Sequence, residues 1–353
     1  MLNLLLIFLI KLFAVILIFL WITIGVSIVY RRRRTKNLLL IEHTFAEVIS
    51  KHLYPYPGEE LSLIDIQRRF RNVGIIPSKP RNVQYLIDLM IRTQRSLLGE
   101  NYEKLVILFN QIPPYGASVS KLKSKKWYVK ARGIREIYEM DQNRYVKEVI
   151  KERNNKNIYV RREAQIAMVI FLGWESLRFL SYLKREMTLW QQIKIVEKLH
   201  DLYPQPNLEY LRRAYESEKS YANELLMRII RKFNLLTEVD YILKFIDHIN
   251  YDTRESAIYC ISSFYLSNTQ LSVLKEKYFE VPNIAQQIQL LKYIDKISFE
   301  KDLVFYKKLL YNADDIIKLS TAEILWNNGY KEEVQEFYYQ QYADNQSRNL
   351  KEA

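Results

Sequence analysis

Between positions 127 and 330 the sequence follows a 31-residue repeat, and this period is the feature that most constrains the fold. Each repeat opens with a pair of residues at the same phase, followed by a helix-period apolar run, a short polar break and a second such run. Solenoids show a fixed period of this size, because each unit buries its apolar face only against its neighbours. The opening pairs are Trp127-Tyr128, Ile158-Tyr159, Leu189-Trp190, Ser220-Tyr221, Tyr251-Asp252, Pro282-Asn283 and Ala313-Asp314.

The period places apolar residues in the same columns of successive repeats. The first runs carry columns that begin at Gly133, Ile137 and Met140, and these offsets of four and three residues share one helix face. The second runs carry columns that begin at Val146 and Val149, and no long stretch alternates apolar and polar residues as a strand would. Two helices per repeat predict an all-α array of antiparallel helical hairpins, in which the last two repeats slip by about one residue.

Two of the first helices contain a short motif. It reads Tyr159-Val160-Arg161-Arg162-Glu163-Ala164 in one repeat and Asp252-Thr253-Arg254-Glu255-Ser256-Ala257 in another. The motif resembles the HEAT consensus, and the unit length resembles the short HEAT-like repeats of the phycobilisome-lyase type, although the repeats at Trp190 and Asn283 lack the arginine. The resemblance covers residues 127 to about 330. It implies a right-handed α-solenoid whose second helices line a concave surface, a fold that serves scaffolds, adaptors and a few enzymes.

The N-terminal segment, 1–30, is predicted to form a single transmembrane anchor. Leu12 to Tyr30 is an uninterrupted run of 19 uncharged, mostly apolar residues, which at helical rise covers roughly 28 Å, close to the thickness of a bilayer core. A cleaved signal peptide is the alternative, but its basic residues would precede the apolar run. Here they follow it, so we expect an uncleaved anchor with the N-terminus outside and the rest in the cytoplasm, in the plasma (inner) membrane.

The region after the anchor divides by composition. A basic juxtamembrane segment, residues 31–36, is expected to contact lipid headgroups through Arg31, Arg32, Arg33, Arg34 and Lys36. Residues 37–126 predict a helical cap and connector, with a joint over residues 113–126. The HEAT-like solenoid is assigned to residues 127–342 and a disordered tail to residues 343–353, so the soluble region counts as one unit.

Charge is distributed unevenly along the chain, whose net charge is +13. Residues 236–353 hold 13 basic and 18 acidic residues, a balance of −5, and the preceding residues hold 40 and 22, a balance of +18. The basic half therefore lies next to the anchor, where anionic lipid or an acidic protein partner would be attracted; nucleic acid would be attracted by sign alone. The single cysteine, Cys260, excludes an intrachain disulfide and fits a reducing compartment.

The sequence contains no recognisable catalytic or metal-binding motif. The four histidines, His43, His52, His200 and His248, form no HExxH arrangement, and the 8 glycines form no phosphate-binding loop. We therefore predict no enzyme activity, no cofactor or metal and no small-molecule substrate.

One patterned surface is predicted outside the core. Residues spaced by 31 on the second helices form a basic and aromatic row, which helical geometry turns away from the core columns. The row is either a partner-binding groove, because aromatic residues and arginine are favoured at interface centres, or an ordinary solvated face. The groove residues are Lys151, Phe179, Tyr182, Tyr210, Arg213, Tyr241, Lys244 and Lys275.

Taken together, these patterns predict a membrane-anchored cytoplasmic scaffold or adaptor that binds another protein. One candidate partner is a component of a complex in the same membrane. A nucleic-acid-binding solenoid that uses the basic, membrane-proximal half is the alternative, and nucleic acid is the less favoured partner. An enzyme ranks third, because no residue can be named as catalytic.

Overall fold

The computed structural model describes residues 2–56, 58, 61–75, 79–298 and 302–340, with the backbone alone described at 2–10, 113 and 312. These ranges contain α-helices, short 3₁₀ helices and no β-strand, which confirms the all-α prediction. The chain divides into two compact units, Met1–Phe171 and Leu172–Ala353, called unit 1 and unit 2 below. The predicted tail, residues 343–353, lies outside the described residues.

Helix α1, Leu2–Leu53, is one continuous helix of 52 residues that joins the apolar N-terminal run to the core of unit 1. Its side chains are exposed from Lys11 to Lys36, whereas Ile41, Phe45 and Val48 are buried. Among the described residues it alone is long and apolar enough to cross a membrane. The residues of the predicted membrane anchor and the first residues of the predicted helical cap therefore belong to one helix.

The rest of unit 1 packs against the C-terminal third of α1. Helices α1 to α6 pack against one another in several pairs around a core that includes Ile41, Leu86, Met90 and Phe109. The helices are α2 (Leu63–Asn72), α3 (Pro80–Gln94), α4 (Glu100–Gln111), α5 (Pro113–Leu122), α6 (Trp127–Glu139), α7 (Val146–Lys151) and α8 (Ile158–Leu172).

Helix α5 corrects the prediction of a joint over residues 113–126. Pro113 and Pro114 occupy the first turn of the helix, where a missing N–H costs nothing because no carbonyl precedes it in the helix. The helix packs closely on α6: a Cβ added at Gly133 would lie 2.6 Å from Lys121 Cβ and 3.0 Å from the backbone of Leu122. Glycine at position 133 therefore allows the two helices to approach, and only the loop after α5 remains of the predicted joint.

Unit 2 begins with a 3₁₀ helix at Gly173–Tyr182, which is followed by α-helices of 5 to 14 residues. Helices α9, α11, α13, α15 and α17 pack consecutively, each against the next. The helices are α9 (Leu189–Leu202), α10 (Leu208–Ala214), α11 (Ser220–Lys232), α12 (Val239–Leu243), α13 (Tyr251–Ile261), α14 (Asn268–Tyr278), α15 (Ile284–Ile297), α16 (Leu303–Asn312), α17 (Asp315–Asn327) and α18 (331–340).

Side-chain caps explain where several of these helices begin. Thr188 and Ser267 form capping boxes with Gln191 and Gln270, respectively. Asn250, Asn283 and Asp314 each accept a hydrogen bond from a backbone N–H in the first turn of the helix that they precede. Because these residues satisfy otherwise unpaired N–H groups, they set the helix starts.

In the early repeats the predicted core columns that begin at Gly133, Ile137 and Val149 are buried, whereas the column that begins at Met140 includes the exposed Leu202. Helices α6, α8, α9, α11 and α13 begin at positions 127, 158, 189, 220 and 251, whereas α15 and α17 begin at 284 and 315. The last two starts come two residues after the 31-residue phase, because Asn283 and Asp314 are the caps. In the preceding short helices, Val273 and Val304 are exposed, and Leu274 and Phe305 are buried in their place.

Candidate functional site

A cleft of about 1190 Å³ opens in unit 1 beside the point where α1 leaves its apolar run. Its walls come from α1, the first nine residues of α3, the end of α5, α6 and the first two turns of α8. Two acidic residues, Asp88 and Glu163, also line it. The cationic residues that line the cleft are Arg33, Arg34, Arg81, Lys121, Arg132, Arg135 and Arg162.

One wall of the cleft is organised by the buried carboxylate of Glu136, on α6. Lys121 Nζ, from α5, lies 2.7 Å from one carboxylate oxygen and 2.8 Å from the other. Ser118 donates a hydrogen bond of 2.6 Å to the same carboxylate, and Gln84 donates one of 2.9 Å. A buried carboxylate needs this number of donors, because burial without them costs several kcal/mol. The Glu136 carboxylate thus compensates the charge of the Lys121 ammonium group and holds it in one place.

A second wall is organised in the same way by Glu163, on α8. Its carboxylate accepts a 2.9 Å hydrogen bond from the Tyr138 hydroxyl, and Arg162 and Arg135 lie 3.0 Å and 3.3 Å from it. Burial and the adjacent Glu163 carboxylate raise the pKa of Tyr138 far above the ordinary tyrosine value. Tyr138 therefore stays a hydrogen-bond donor at any physiological pH, and the two arginines are fixed at the cleft wall.

The α1 side of the cleft carries cations that lack such partners. Among the described residues, no carboxylate lies within ion-pair distance of Arg33, Arg34 or Arg81. The guanidinium of Arg81, at the start of α3, donates a hydrogen bond to the Tyr30 hydroxyl of α1. All five predicted headgroup contacts, Arg31 to Arg34 and Lys36, are exposed, and Arg33 and Arg34 are the two that line the cleft.

Aromatic side chains form the rim of the cleft at the first turns of α6 and α8. Trp127 and Tyr159 are stacked, with ring centroids 5.1 Å apart and an interplanar angle of 22°. Tyr128 meets Trp127 edge-on at 5.8 Å, and the Arg162 guanidinium lies 5.6 Å from the Tyr159 ring centroid. About half of the surface of Trp127, Tyr128 and Tyr159 is exposed. The cleft combines unpaired cations with a partly apolar rim, which suits an amphipathic anion.

The predicted partner groove on the second helices is only partly exposed. Phe179 and Tyr241 are buried, so the prediction that they face away from the core is wrong. Tyr241 stacks on Tyr215 at 3.8 Å and donates a hydrogen bond to Asn223. The error arises because Phe179 lies in a 3₁₀ helix and Tyr241 in a five-residue helix that follows a 3₁₀ turn. Three residues per turn, rather than 3.6, change which face each side chain occupies.

The remaining groove residues are exposed or half-buried. Lys151 belongs to unit 1 and the others to unit 2; Tyr182 and Lys244 are exposed, and Tyr210 is half-buried. Arg213 is exposed and pairs with Glu209 on its own helix at 2.6 Å. The Lys275 ammonium is largely buried and pairs with Asp302 at 3.1 Å, so Lys275 is structural.

Unit 2 carries a second groove, of about 760 Å³, on the long helices α9, α11 and α13. The Arg231 guanidinium lies 3.9 Å from the Tyr259 ring centroid and donates a 2.6 Å hydrogen bond to Ser263. Arg228 donates to Gln192 at 3.0 Å and to Ser256 at 2.9 Å. This groove was not predicted from the sequence, although Glu197, Arg228 and Tyr259 all line it and follow the 31-residue spacing. The same periodicity, applied to the polar positions of the first helices, would have found it.

The single cysteine and the possible metal ligands are the groups with the greatest catalytic potential. Burial raises the pKa of the Cys260 thiol to about 11, so it stays protonated and unreactive at neutral pH. Within the described ranges, no group of three or more His, Cys, Asp or Glu residues is placed to hold a metal ion.

Comparison of the sequence with protein-family models gives no match, and no curated protein sequence matches it significantly.

Proposed function

We propose that this protein is a single-pass membrane adaptor whose helical-repeat region binds a partner protein beside the membrane. The continuity of α1 is the observation that carries the proposal. One helix contains both the exposed apolar run and the residues Ile41, Phe45 and Val48 that are buried in unit 1. A continuous helix holds unit 1 at a fixed distance from the bilayer, which suits an adaptor. A protein that only needs to be tethered to the membrane can use a flexible linker instead.

A HEAT-like solenoid with a 31-residue period is the architecture proposed for residues 127–342. Five long helices begin with the 31-residue spacing, and those of unit 2 pack consecutively. The motif arginines also make equivalent contacts: Arg161 donates to the carbonyl of Asn155 at 2.9 Å, and Arg254 donates to the carbonyl of His248 at 2.6 Å. In both cases a buried arginine satisfies a carbonyl six residues earlier. A repeated role at a repeated position supports a common unit.

The proposed location is the plasma (inner) membrane, with the N-terminus outside and the helical region in the cytoplasm. Four consecutive arginines and Lys36 follow the apolar run directly, and positively charged residues next to a span stay on the cytoplasmic side.

The partner site that we favour is the groove on α9, α11 and α13 of unit 2. Arg231 is held in place by Ser263 and by the Tyr259 ring, so little side-chain entropy is lost when it binds a carboxylate. Leu189 and Tyr259 expose apolar surface beside Arg228 and Arg231. Such a groove fits a partner segment that presents both carboxylates and apolar side chains, for example an amphipathic acidic helix. Tyrosine and arginine are also the residues that dominate interface energies.

The test compares two exposed faces of unit 2 in the intact protein. Wild type, Arg231→Ala/Tyr259→Ala and Tyr210→Ala/Arg213→Ala are each crosslinked in their native membranes, and the captured proteins are quantified by mass spectrometry. We expect the first variant to lose one specific partner by about tenfold or more and the second to retain it, at unchanged protein level and melting temperature. Loss in the second variant alone would return the partner site to the second helices. Undiminished capture in both would contradict the adaptor proposal.

A further inference from the structure

We propose that the cleft in unit 1 binds the phosphate of an anionic phospholipid from the leaflet that surrounds α1. The inference rests on the proposed function in one respect, because it requires α1 to span the membrane. It goes further by assigning the ligand to residues of α3 and α6 as well as to the juxtamembrane segment.

The position of the cleft along α1 matches the depth of lipid headgroups. Tyr30 ends the apolar run, and Arg33 and Arg34 follow it by about one helical turn, or roughly 5 Å along the axis. The hydrogen bond from Arg81 to the Tyr30 hydroxyl brings the start of α3 to the same level. Asn37 donates a 3.1 Å hydrogen bond to Asn82, which fixes α3 against α1 one turn further on. The mouth of the cleft therefore lies where the hydrocarbon core of the bilayer ends.

The cations of the cleft fall into two groups with different roles. Lys121, Arg135 and Arg162 are compensated by the buried carboxylates of Glu136 and Glu163. Arg33, Arg34 and Arg81 have no carboxylate within ion-pair distance among the described residues. Arg132 lies 3.9 Å from Glu136 and has 55% of its side chain exposed. Arg33, Arg34, Arg81 and Arg132 therefore have guanidinium N–H groups that can donate to a ligand, and their planar geometry matches the oxygens of a phosphate.

The aromatic rim favours a lipid over a nucleic acid. Tryptophan and tyrosine are enriched where protein meets the membrane–water interface, and Trp127, Tyr128 and Tyr159 are all half-exposed at the cleft. A sequence-tolerant nucleic-acid site needs free ring faces on which bases can stack. Trp127 and Tyr159 are instead stacked on each other, which occupies one face of each ring.

Binding is measured on the full chain in a neutral detergent, with short-chain dioctanoyl lipids as probes. The wild type is titrated with dioctanoyl phosphatidylglycerol and with dioctanoyl phosphatidylcholine. We expect phosphatidylglycerol to bind tightly and phosphatidylcholine, whose headgroup has no net charge, to bind at least tenfold more weakly. Arg81→Gln/Arg132→Gln should weaken phosphatidylglycerol binding about tenfold or more, since each cation near an anionic headgroup contributes measurably.

The matched control is Arg178→Gln/Arg213→Gln, which removes the same charge from two exposed arginines of unit 2. It should bind phosphatidylglycerol within about twofold of wild type, and both variants should keep the wild-type melting temperature. Equal weakening by the two double variants would overturn the proposal, because it would show a general charge effect. Equal affinity of the wild type for the two lipids would overturn it as well.

Two further arms identify the source of the ligand. Inorganic phosphate or pyrophosphate that displaces the lipid at equal concentration would overturn the lipid assignment in favour of a soluble anion. Tighter binding of a 20-nucleotide single strand, with steep salt dependence and loss in the Arg81→Gln/Arg132→Gln variant, would overturn it in favour of nucleic acid.

Alkaline carbonate extraction of native membranes tests the anchor separately. Release of the wild-type chain there would contradict the proposed function, whereas the detergent titration reports on the cleft alone.

Discussion

At the scale of single residues, two buried carboxylates determine how the cleft of unit 1 is built. Glu136 and Glu163 are almost fully buried, and each recruits cations and neutral donors from neighbouring helices. An ionised carboxylate in a protein interior is tolerated only when such donors replace the lost water. The compensated cations are structural, and the uncompensated arginines beside them remain available to a ligand.

The Glu163 network predicts a specific loss of stability. Glu163→Gln should lower the free energy of unfolding by about 1–3 kcal/mol, because Arg135, Arg162 and the Tyr138 hydroxyl lose a charged acceptor. This decrease in the free energy of unfolding should be smaller than for a fully buried ion pair, because about half of the Arg135 side chain is exposed to solvent. Urea unfolding of the full chain, followed by tryptophan fluorescence, measures it. Glu100→Gln, which removes an exposed carboxylate of the same unit, should shift the midpoint much less.

Buried tyrosines predict that the protein loses stability at alkaline pH. Burial raises the pKa of several of them, whereas in the unfolded chain each has a pKa of about 10. Above that value the unfolded state releases phenolic protons and the folded state keeps them, so stability falls as pH rises. We expect the melting temperature to drop steeply above about pH 9.5. The tyrosines are Tyr138, Tyr241, Tyr278, Tyr293 and Tyr306, together with the partly buried Tyr215.

Tyr278→Phe provides the matched variant for this prediction. The Tyr278 hydroxyl is buried and has no hydrogen-bond partner among the described residues, so its removal should leave stability at pH 7 unchanged or slightly higher. The same variant should show a smaller alkaline drop than wild type. A melting temperature that stays flat to pH 11 would contradict the argument, as would full phenolate absorbance of the native protein at 295 nm.

The sequence predicts the exposure of single side chains less accurately than it predicts the helices. Phe179, Tyr210 and Tyr241 are spaced by 31 residues in the sequence, but they are not equally exposed. Phe179 and Tyr241 are buried and Tyr210 is half-buried. Phe179 lies in a 3₁₀ helix and Tyr241 in a short helix after a 3₁₀ turn, whereas Tyr210 lies in a regular α-helix. The cleft could not be foreseen either, since it brings together residues of α1, α3 and α6 that no local pattern relates.

At the scale of helices, periodicity and capping chemistry predict most of what is observed. The column of Ile137, Met168, Leu199, Ile230 and Ile261 is buried throughout. Helix starts follow caps that are legible in the sequence, such as Thr188 with Gln191 and Ser267 with Gln270. Helix α5 lies where the sequence predicts a joint, because Pro113, Pro114 and Gly116 are residue types that interrupt helices at most other positions. Proline is also a favoured first residue of a helix, and sequence alone does not distinguish the two roles.

The shift of phase in the last two repeats leads to a prediction at this scale. Leu274 is fully buried, and its neighbour Val273 is 40% exposed, although Val273 occupies the column position. Leu274→Ala should cost about 2–5 kcal/mol, because it leaves a cavity in the core. Val273→Ala should cost about 0.5 kcal/mol or less, as an ordinary surface substitution. The pair is compared by chemical unfolding, and equal losses would mean that α14 follows the unshifted 31-residue phase.

At the scale of the whole molecule, the charge distribution and the long first helix both place the basic part of the chain next to the proposed membrane span. The basic excess of the chain lies before residue 236, on the side that includes α1 and the cleft. The exposed apolar run of α1 is followed immediately by Arg31 to Arg34. Anionic headgroups attract such residues, and the membrane potential resists their transfer to the outside.

This arrangement predicts the topology of the chain and its dependence on four residues. A reporter that is active only in the cytoplasm, fused after Ala353, should be active in the wild type, and one that is active only outside should be silent. Replacing Arg31, Arg32, Arg33 and Arg34 by glutamine removes most of the positive charge next to the span, so a substantial fraction of the chains should insert in the opposite orientation. The control replaces the exposed residues Lys123, Lys125, Lys126 and Lys147 by glutamine, which removes the same charge far from the span along the sequence. Because the orientation signal acts within about 15–20 residues of a span, the control should keep the wild-type orientation. External reporter activity in the wild type, or equal reorientation by both variants, would show that the juxtamembrane arginines do not set the topology.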